Sequence, residues 1–348
     1  MTSRTDGRPF IIIGENIHAS RVVRRDGVRI GTTADGRPAV RVPLEVGEGL
    51  LPIPDAIQAT REFGAGRVKH VMTAVLEGVA DGPNATLAAA YVRWMAARQI
   101  RGGASYLDLN VDEVSPEVDD RCAAMAWLVR VVGPASTVPL SLDSSDSAVM
   151  SAGLSAYDRS WAGGAPPLIN SASVERPDVL EMAVRRGSPV VLSCTGAAMP
   201  TGTEERMVRA VEIVEMALAA GLERSALHVD PLVIPIGVDA QAGMAYLDAV
   251  RQLRERYGHE LHITGGISNI SFGMPARRLI SDVFLDLCAL AGLDSGIVDP
   301  VAADVERALN PDRSTEAYRL AADLLQGVDA FGVEFLEAYR SGRLADSG

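Results

Sequence analysis

Aromatic side chains make up only 5% of the 348 residues, cysteines number three, and no long apolar run is present. Each shortage removes a class of protein. Cys122, Cys194 and Cys288 are odd in number and far apart, which fits a reduced chain rather than a disulfide framework. No apolar stretch approaches the ~20 residues a bilayer-crossing helix needs. The opening MTSRTDGRPF is polar and residues 11–13 are too short for a signal-peptide core, so a soluble, cytoplasmic protein with no membrane partner is expected. Cations are outnumbered, at a net charge of -12, which argues against nucleic acid as a partner because phosphate neutralisation needs clustered Lys and Arg. What is plentiful is Ala, Val and Leu: 47% of the residues are hydrophobic, enough for a full core.

Strand-like and helix-like segments alternate along most of the chain. Short β-branched or apolar runs are expected as strands at residues 10–13, 106–111, 138–142, 167–169, 189–193, 226–229, 261–264 and 296–298. Helices are expected over 84–99, 117–132, 147–156, 177–186, 204–220, 241–257, 277–291 and 301–325. Eight strands, each followed by a helix, imply parallel pairing and a (β/α)8 TIM barrel within one domain, 1–348. No GxGxxG opens a helix after the first strand, which disfavours an open doubly wound sheet. Residues 19–83 break the alternation. Asp26-Gly27 and Asp35-Gly36 signal one or two hairpins there, and a helix is expected over 55–63. This region is expected to be an insertion in the first β/α connection, a cap or a dimer contact.

In such a barrel, binding and catalytic groups stand at the C-terminal ends of the strands. Those positions hold Glu15 and Asn16, Asp108 and Asn110, Asp143, Asn170, Cys194 with Thr195, Asp230, Ser268 with Asn269, and Asp299. Charged side chains ending apolar runs are costly unless paired or solvated, so packing alone does not explain the ring. Asp143 and Asp299 could instead cap the following helices. In LHITGGISNISFG (261–273) a strand opens into a polar loop, whose glycines would let backbone approach a ligand. Arg277 and Arg278 are expected to start the next helix. Carboxylates and amides with few cations suit a neutral, donor-rich heterocycle such as the amino-pyrimidinone edge of a pterin, and suit a phosphorylated sugar badly.

LDLNVDE (107–113), PLSLDSS (139–145), INSAS (169–173), HVDPLVIPIG (228–237), GGISNISFG (265–273) and AGLDSGIVDP (291–300) resemble the pterin-binding barrel of the corrinoid methyltransferases. That family includes methyltetrahydrofolate–corrinoid methyltransferases and the folate module of cobalamin-dependent methionine synthase. The resemblance implies that Asp143, Asn170 and Asp230 hold the pterin ring. It also implies that Asn269 stands near N5 and stabilises its protonated form as the methyl group leaves. With no Asp-x-His-x-x-Gly motif in the chain, the corrinoid (cobalamin) is expected on a separate protein, and a homodimer is expected from the family. GENIH (14–18) departs from the family's Gly-Glu-Arg-x-Asn opening, with Asn16 and His18 in the changed positions.

The leading expectation is methyl transfer between methyltetrahydrofolate and the cobalt of a corrinoid protein, with Asn269, Asp230 and Asp143 as the catalytic set. Glu15, Asn16, Asp108, Asn110, Asn170 and Ser268 complete the pterin contacts. One alternative is the methyltransferase component of a corrinoid O-demethylase acting on a methoxy-aromatic donor. There His18 or His70 would polarise the ether oxygen, directly or through a metal. A dihydropteroate synthase-like or non-catalytic pterin-binding protein is the other alternative. No Cys/His spacing forms a zinc motif.

Overall fold

In the computed structural model, residues 9–196 and 198–344 are described; the first eight residues of the polar opening read above lie outside them. Eight strands form one parallel-type sheet: β1 (Ile11–His18), β2 (Tyr106–Asn110), β3 (Leu140–Asp143), β4 (Leu168–Ala172), β5 (Val190–Ser193), β6 (Leu227–Asp230), β7 (His262–Ile263) and β8 (Ser295–Val298). Their order is β7-β6-β5-β4-β3-β2-β1-β8. A parallel bridge between Gly266 and Ile297, with the Ile297 N–H donating to Gly265 at 2.9 Å, joins the two ends. The fold is a (β/α)8 TIM barrel, as the alternation implies.

The chain divides into two compact units, residues 14–170 and residues 1–13 with 171–348. In the first, α1 (Ala85–Arg101), α2 (Val118–Val132) and α3 (Ser147–Ala156) alternate with the strands, and β2–β3–β4 are in parallel register, Asn110 opposite Asp143 and Asp143 opposite Asn170. That register sets three polar strand ends side by side. In the second, α4 (Asp178–Arg186), α5 (Gly202–Ala219), α6 (Ala242–Tyr257), α7 (Arg277–Ala291) and α8 (Glu316–Leu325) alternate with the strands, and Ser193 stands opposite Asp230.

Several boundaries differ from expectation. β1 runs on through Gly14 to His18 rather than ending at residue 13, because the Asn16 N–H finds the Gln99 side chain and the strand stays satisfied. The helix expected over 301–325 is broken in two: Val305–Leu309 ends before Pro311, and Thr315 caps α8 by accepting from the Tyr318 N–H. The helix expected over 55–63 is likewise two short turns, Asp55–Gln58 and Arg61–Gly64, divided at Thr60, which caps the second.

The insertion lies in the first unit. Pro38–Pro43 pairs antiparallel with Ile30–Thr32, across the Asp35-Gly36 turn, and with Glu48–Pro52. Asp26-Gly27 makes a turn without a hairpin, since Val22–Arg24 pairs instead with the distant Arg67–Lys69. A helix, His70–Val79, packs on α1 and α2, so closely that a Cβ on Gly78 would stand 1.9 Å from the Trp127 ring. The insertion's inner side is thus filled by the helical layer.

Candidate active site

In the 14–170 unit the strand ends form a connected carboxylate–amide network. Asp108 and Asn110 are two residues apart on β2 and share a face, as do Ser141 and Asp143 on β3. Asp108 is 3% exposed, and one of its oxygens accepts both from Ser141 Oγ at 2.5 Å and from Asn170 Nδ2 at 3.3 Å. Burial, with a further push from Glu15, raises its carboxyl to about 7 against the pull of those two donors. Asn110 donates through Nδ2 to Asp143 at 2.9 Å and accepts from the Asp112 N–H at 3.0 Å. Asp112 in turn accepts from Ser144 Oγ at 2.6 Å and the Ser145 N–H at 2.8 Å. Capping is not the role of Asp143: Asp146 caps α3, accepting from the Ala148 N–H at 2.9 Å.

Glu15 forms an ion pair with Arg21 at 2.8 Å. Asn16 is tied by its backbone N–H to Gln99 Oε1 at 2.9 Å, and a Cβ on Gly14 would stand only 2.6 Å from that oxygen. His18 Nδ1 accepts from the Ser20 N–H at 3.1 Å and lies 2.7 Å from Ser20 Oγ; burial and then Arg21 hold its pKa below the ordinary value. His70 is 4% exposed, hydrogen-bonded to the Tyr91 hydroxyl at 2.8 Å, and pushed down to about 3 by burial and by Arg29 and Arg21. It is a neutral, packed histidine between helices. No group of three His, Cys, Asp or Glu side chains is placed to hold a metal among the described residues.

In the other unit, Asp230 ends β6. Its carboxylate accepts from the Leu232 N–H at 2.8 Å, and burial raises it to about 6 despite that bond and the nearby Arg206 charge. Cys194 is buried and its thiol is pushed up by burial and by Asp230, so it is an inert packing thiol; Thr195 is bonded to Ser193. Ser268 and Asn269 lie in a 3-10 turn, Ile267–Ser271, where Asn269 is exposed and the Ser268 carbonyl accepts from Arg277 at 3.3 Å. Arg277 starts α7, as expected, and stacks on Phe272.

The glycine pair has an internal explanation. A Cβ on Gly265 would stand 2.2 Å from the Tyr246 hydroxyl, which donates to the Thr264 carbonyl at 2.7 Å; one on Gly266 would stand 2.8 Å from Asn269 Nδ2. The bare backbone accommodates the chain's own side chains. Asp299 is a turn cap, accepting from the Val301 and Ala302 N–H groups at 2.9 and 3.0 Å.

Sequence reasoning passes over Gln99, Ser141, Asp112 and Arg206. Two of these carried a signal. Gln99 and Arg206 fall on the apolar stripes of their helices, with Ala88, Val92, Met95 and with Ala210, Ile213, Ala217, where a polar residue is out of place unless it has work to do.

Comparison with known proteins decides the family. Residues 85–299 match the model described as pterin binding enzyme. The chain belongs to the pterin-binding enzyme family. It is 29% identical to the methylcorrinoid:tetrahydrofolate methyltransferase of Eubacterium limosum over 73% of this chain and 89% of that protein. It is 33% identical to methionine synthase from Mycobacterium leprae over 59% of this chain, but spans only 17% of that longer enzyme. Among solved structures it is similar to dihydropteroate synthase from Xanthomonas albilineans in complex with 7,8-dihydropteroate, with a TM-score of 0.51 and 23% identity, covering 66% of this chain and 86% of that one. That last likeness concerns the fold alone. No helix among the described residues is long and apolar enough to cross a membrane.

Proposed function

We propose that this pterin-binding enzyme is a methyltransferase that moves a methyl group between the cobalt of a corrinoid, carried by a separate protein, and N5 of tetrahydrofolate. The observation that carries the reading is the hydrogen-bonded set Asp108–Asn170 and Asn110–Asp143 at adjacent strand ends. Its donor set fits a pterin: carboxylates accept from the amino and ring N–H groups, and the Asn amides both donate and accept. Asp230 and Asn269 are assigned pterin contacts through the family's motifs.

The corrinoid supplies the nucleophilic or methylated cobalt, and its chemistry belongs to that group. The protein's part is to orient the pterin and manage the proton at N5. Tetrahydrofolate must shed that proton when N5 is methylated, and methyltetrahydrofolate must gain one, or a strong hydrogen bond, before N5 can leave. Carboxyls held at about 7 and about 6 by burial can give or take a proton near neutral pH, where an ordinary aspartate could not. Asn269, exposed on its turn, is assigned the hydrogen bond to N5.

The reading is tested by adding the protein to free cob(I)alamin with methyltetrahydrofolate in one cuvette and with vanillate in another. Loss of the Co(I) spectrum with the folate alone is the expected result. Loss with the methoxy-arene alone would replace the proposal with an O-demethylase component.

A further inference from the structure

Arg206 is the largest fully buried side chain, at 0% exposure, and among the described residues no carboxylate lies within ion-pair distance of it. Its partners are carbonyls. Nη1 donates to Gly202 at 2.7 Å within α5, while Nε and Nη2 both reach the Leu232 carbonyl at 3.4 Å. Burying a guanidinium against neutral oxygens is expensive, since the group cannot shed its charge. A methionine or leucine would fill the space without that cost, so packing alone does not account for the residue.

The recipient carbonyl is itself unusual. Leu232 has φ of +69°, a left-handed conformation that a leucine adopts only when its surroundings impose it. The Leu232 N–H, for its part, donates to Asp230 at 2.8 Å. One peptide segment thus receives the guanidinium on its carbonyl and presents its N–H to the carboxylate two residues earlier. The other ionisable groups that act on this pair are Cys194 beside Asp230 on the β5 side, Tyr246 of α6, and Asp239, whose charge acts on Arg206. A second cation, Arg209 of the same helix, donates to the Cys194 carbonyl at 3.3 Å and acts on that thiol.

We propose that Arg206 is a positioning residue for Asp230: its guanidinium holds the Asp230-Pro231-Leu232 turn by the Leu232 carbonyl, and so the N–H that turn presents to the carboxylate, and adds a positive charge to its surroundings. Asp230 acts on a pterin only if the function proposed above holds; the coupling of Arg206 to Asp230 does not depend on it. The role suits a carboxyl that must both accept hydrogen bonds and change protonation, because loss of the cation favours its neutral form.

The test is a titration of full-length protein carrying 13C-labelled aspartate, with the Asp230 signal assigned by its disappearance in Asp230→Asn. In Arg206→Met the Asp230 midpoint is expected to rise by about one pH unit, the lower end of the effect of a neighbouring opposite charge. In Arg206→Lys, which keeps the charge but not the fork, the midpoint is expected to return towards that of the unmodified protein. Hydrogen exchange at the Leu232 amide is expected to speed up about tenfold in both, as for loss of one to two hydrogen bonds. An unmoved midpoint in Arg206→Met overturns the electrostatic half. Unchanged Leu232 exchange in Arg206→Lys overturns the positioning half, and can be read even if the methionine variant does not fold. Tetrahydrofolate binding, followed in parallel at pH 7, separates the two layers: an unmodified protein that binds no folate defeats the proposed function while these readouts still decide the role of Arg206.

Discussion

Asp143 and Asn170 receive and give the hydrogen bonds that make the 14–170 network, and each is assigned a direct pterin contact. Hydrogen bonds to charged groups contribute about 1.5–3 kcal/mol. Asp143→Ala and Asn170→Ala are therefore expected to weaken tetrahydrofolate binding roughly 10- to 100-fold, measured by fluorescence titration; binding within threefold of the unmodified protein would remove them from the site. His70 should behave in the opposite way. Its substitution by Leu removes the buried bond to the Tyr91 hydroxyl, so a stability loss of about 1–3 kcal/mol is expected with folate binding unchanged. At this scale the sequence separates residue types well and environments badly. Asp143 and Asp299 both follow an apolar run, yet one is held by Asn110 and the other caps a turn. The difference depends on a neighbouring strand's register, which no local pattern records. His70 illustrates the same limit, since its partner Tyr91 is 21 residues away on another helix.

Elements were legible where periodicity is long and stops are strong. α1, α6 and α7 lie close to their expected spans because each has a full apolar stripe and a glycine just beyond its end. Elements decided by a remote partner were not. Val22–Arg24 finds its pair some 45 residues later, and β1 extends because Gln99 reaches Asn16. The β7 loop depends on the Gly265–Tyr246 contact in the same way. Gly265→Ala would drive a methyl group into the Tyr246 hydroxyl, and overpacking of this kind costs about 1–3 kcal/mol. The expected outcome is a lowered melting temperature that Tyr246→Phe, by removing the obstructing oxygen, partly restores in the double variant. If Gly265→Ala melts like the unmodified protein, the loop does not rely on that close approach.

Across the whole molecule, each compact unit holds a histidine and an aspartate whose titrations oppose each other. The 14–170 unit has His70 at about 3 and Asp108 at about 7; the other has His228 at about 3, lowered by burial and by His262, and Asp230 at about 6. Between pH 4 and 6 the unfolded chain protonates both histidines and ionises both aspartates. The folded chain does the reverse. For the histidines alone the unfolded state binds more protons, so stability would fall as pH drops; for the aspartates the folded state binds more, so stability would rise. Two proton uptakes stand against two, and the four groups together contribute almost no slope. Other groups shift too: His18, lowered, and Asp282, raised, pull in opposite senses, while Asp294, Glu205, Asp26, Asp35, Asp158 and Asp312 are all lowered and draw stability down only as pH falls into the ordinary carboxylate range, about 4. Replacing both aspartates by Asn removes one side of this balance. The unmodified protein is expected to keep a nearly constant melting temperature from pH 6 to 5, above the range in which the lowered carboxyls take up protons on unfolding. The Asp108→Asn/Asp230→Asn variant should lose stability at up to about 2.7 kcal/mol per pH unit over the same range, twice the ~1.36 kcal/mol of a single full titration. Parallel thermal melts at half-unit intervals of pH decide the matter: if the two proteins decline together, the buried aspartates do not carry protons at pH 5, and the raised carboxyls on which the proton step relies are not there.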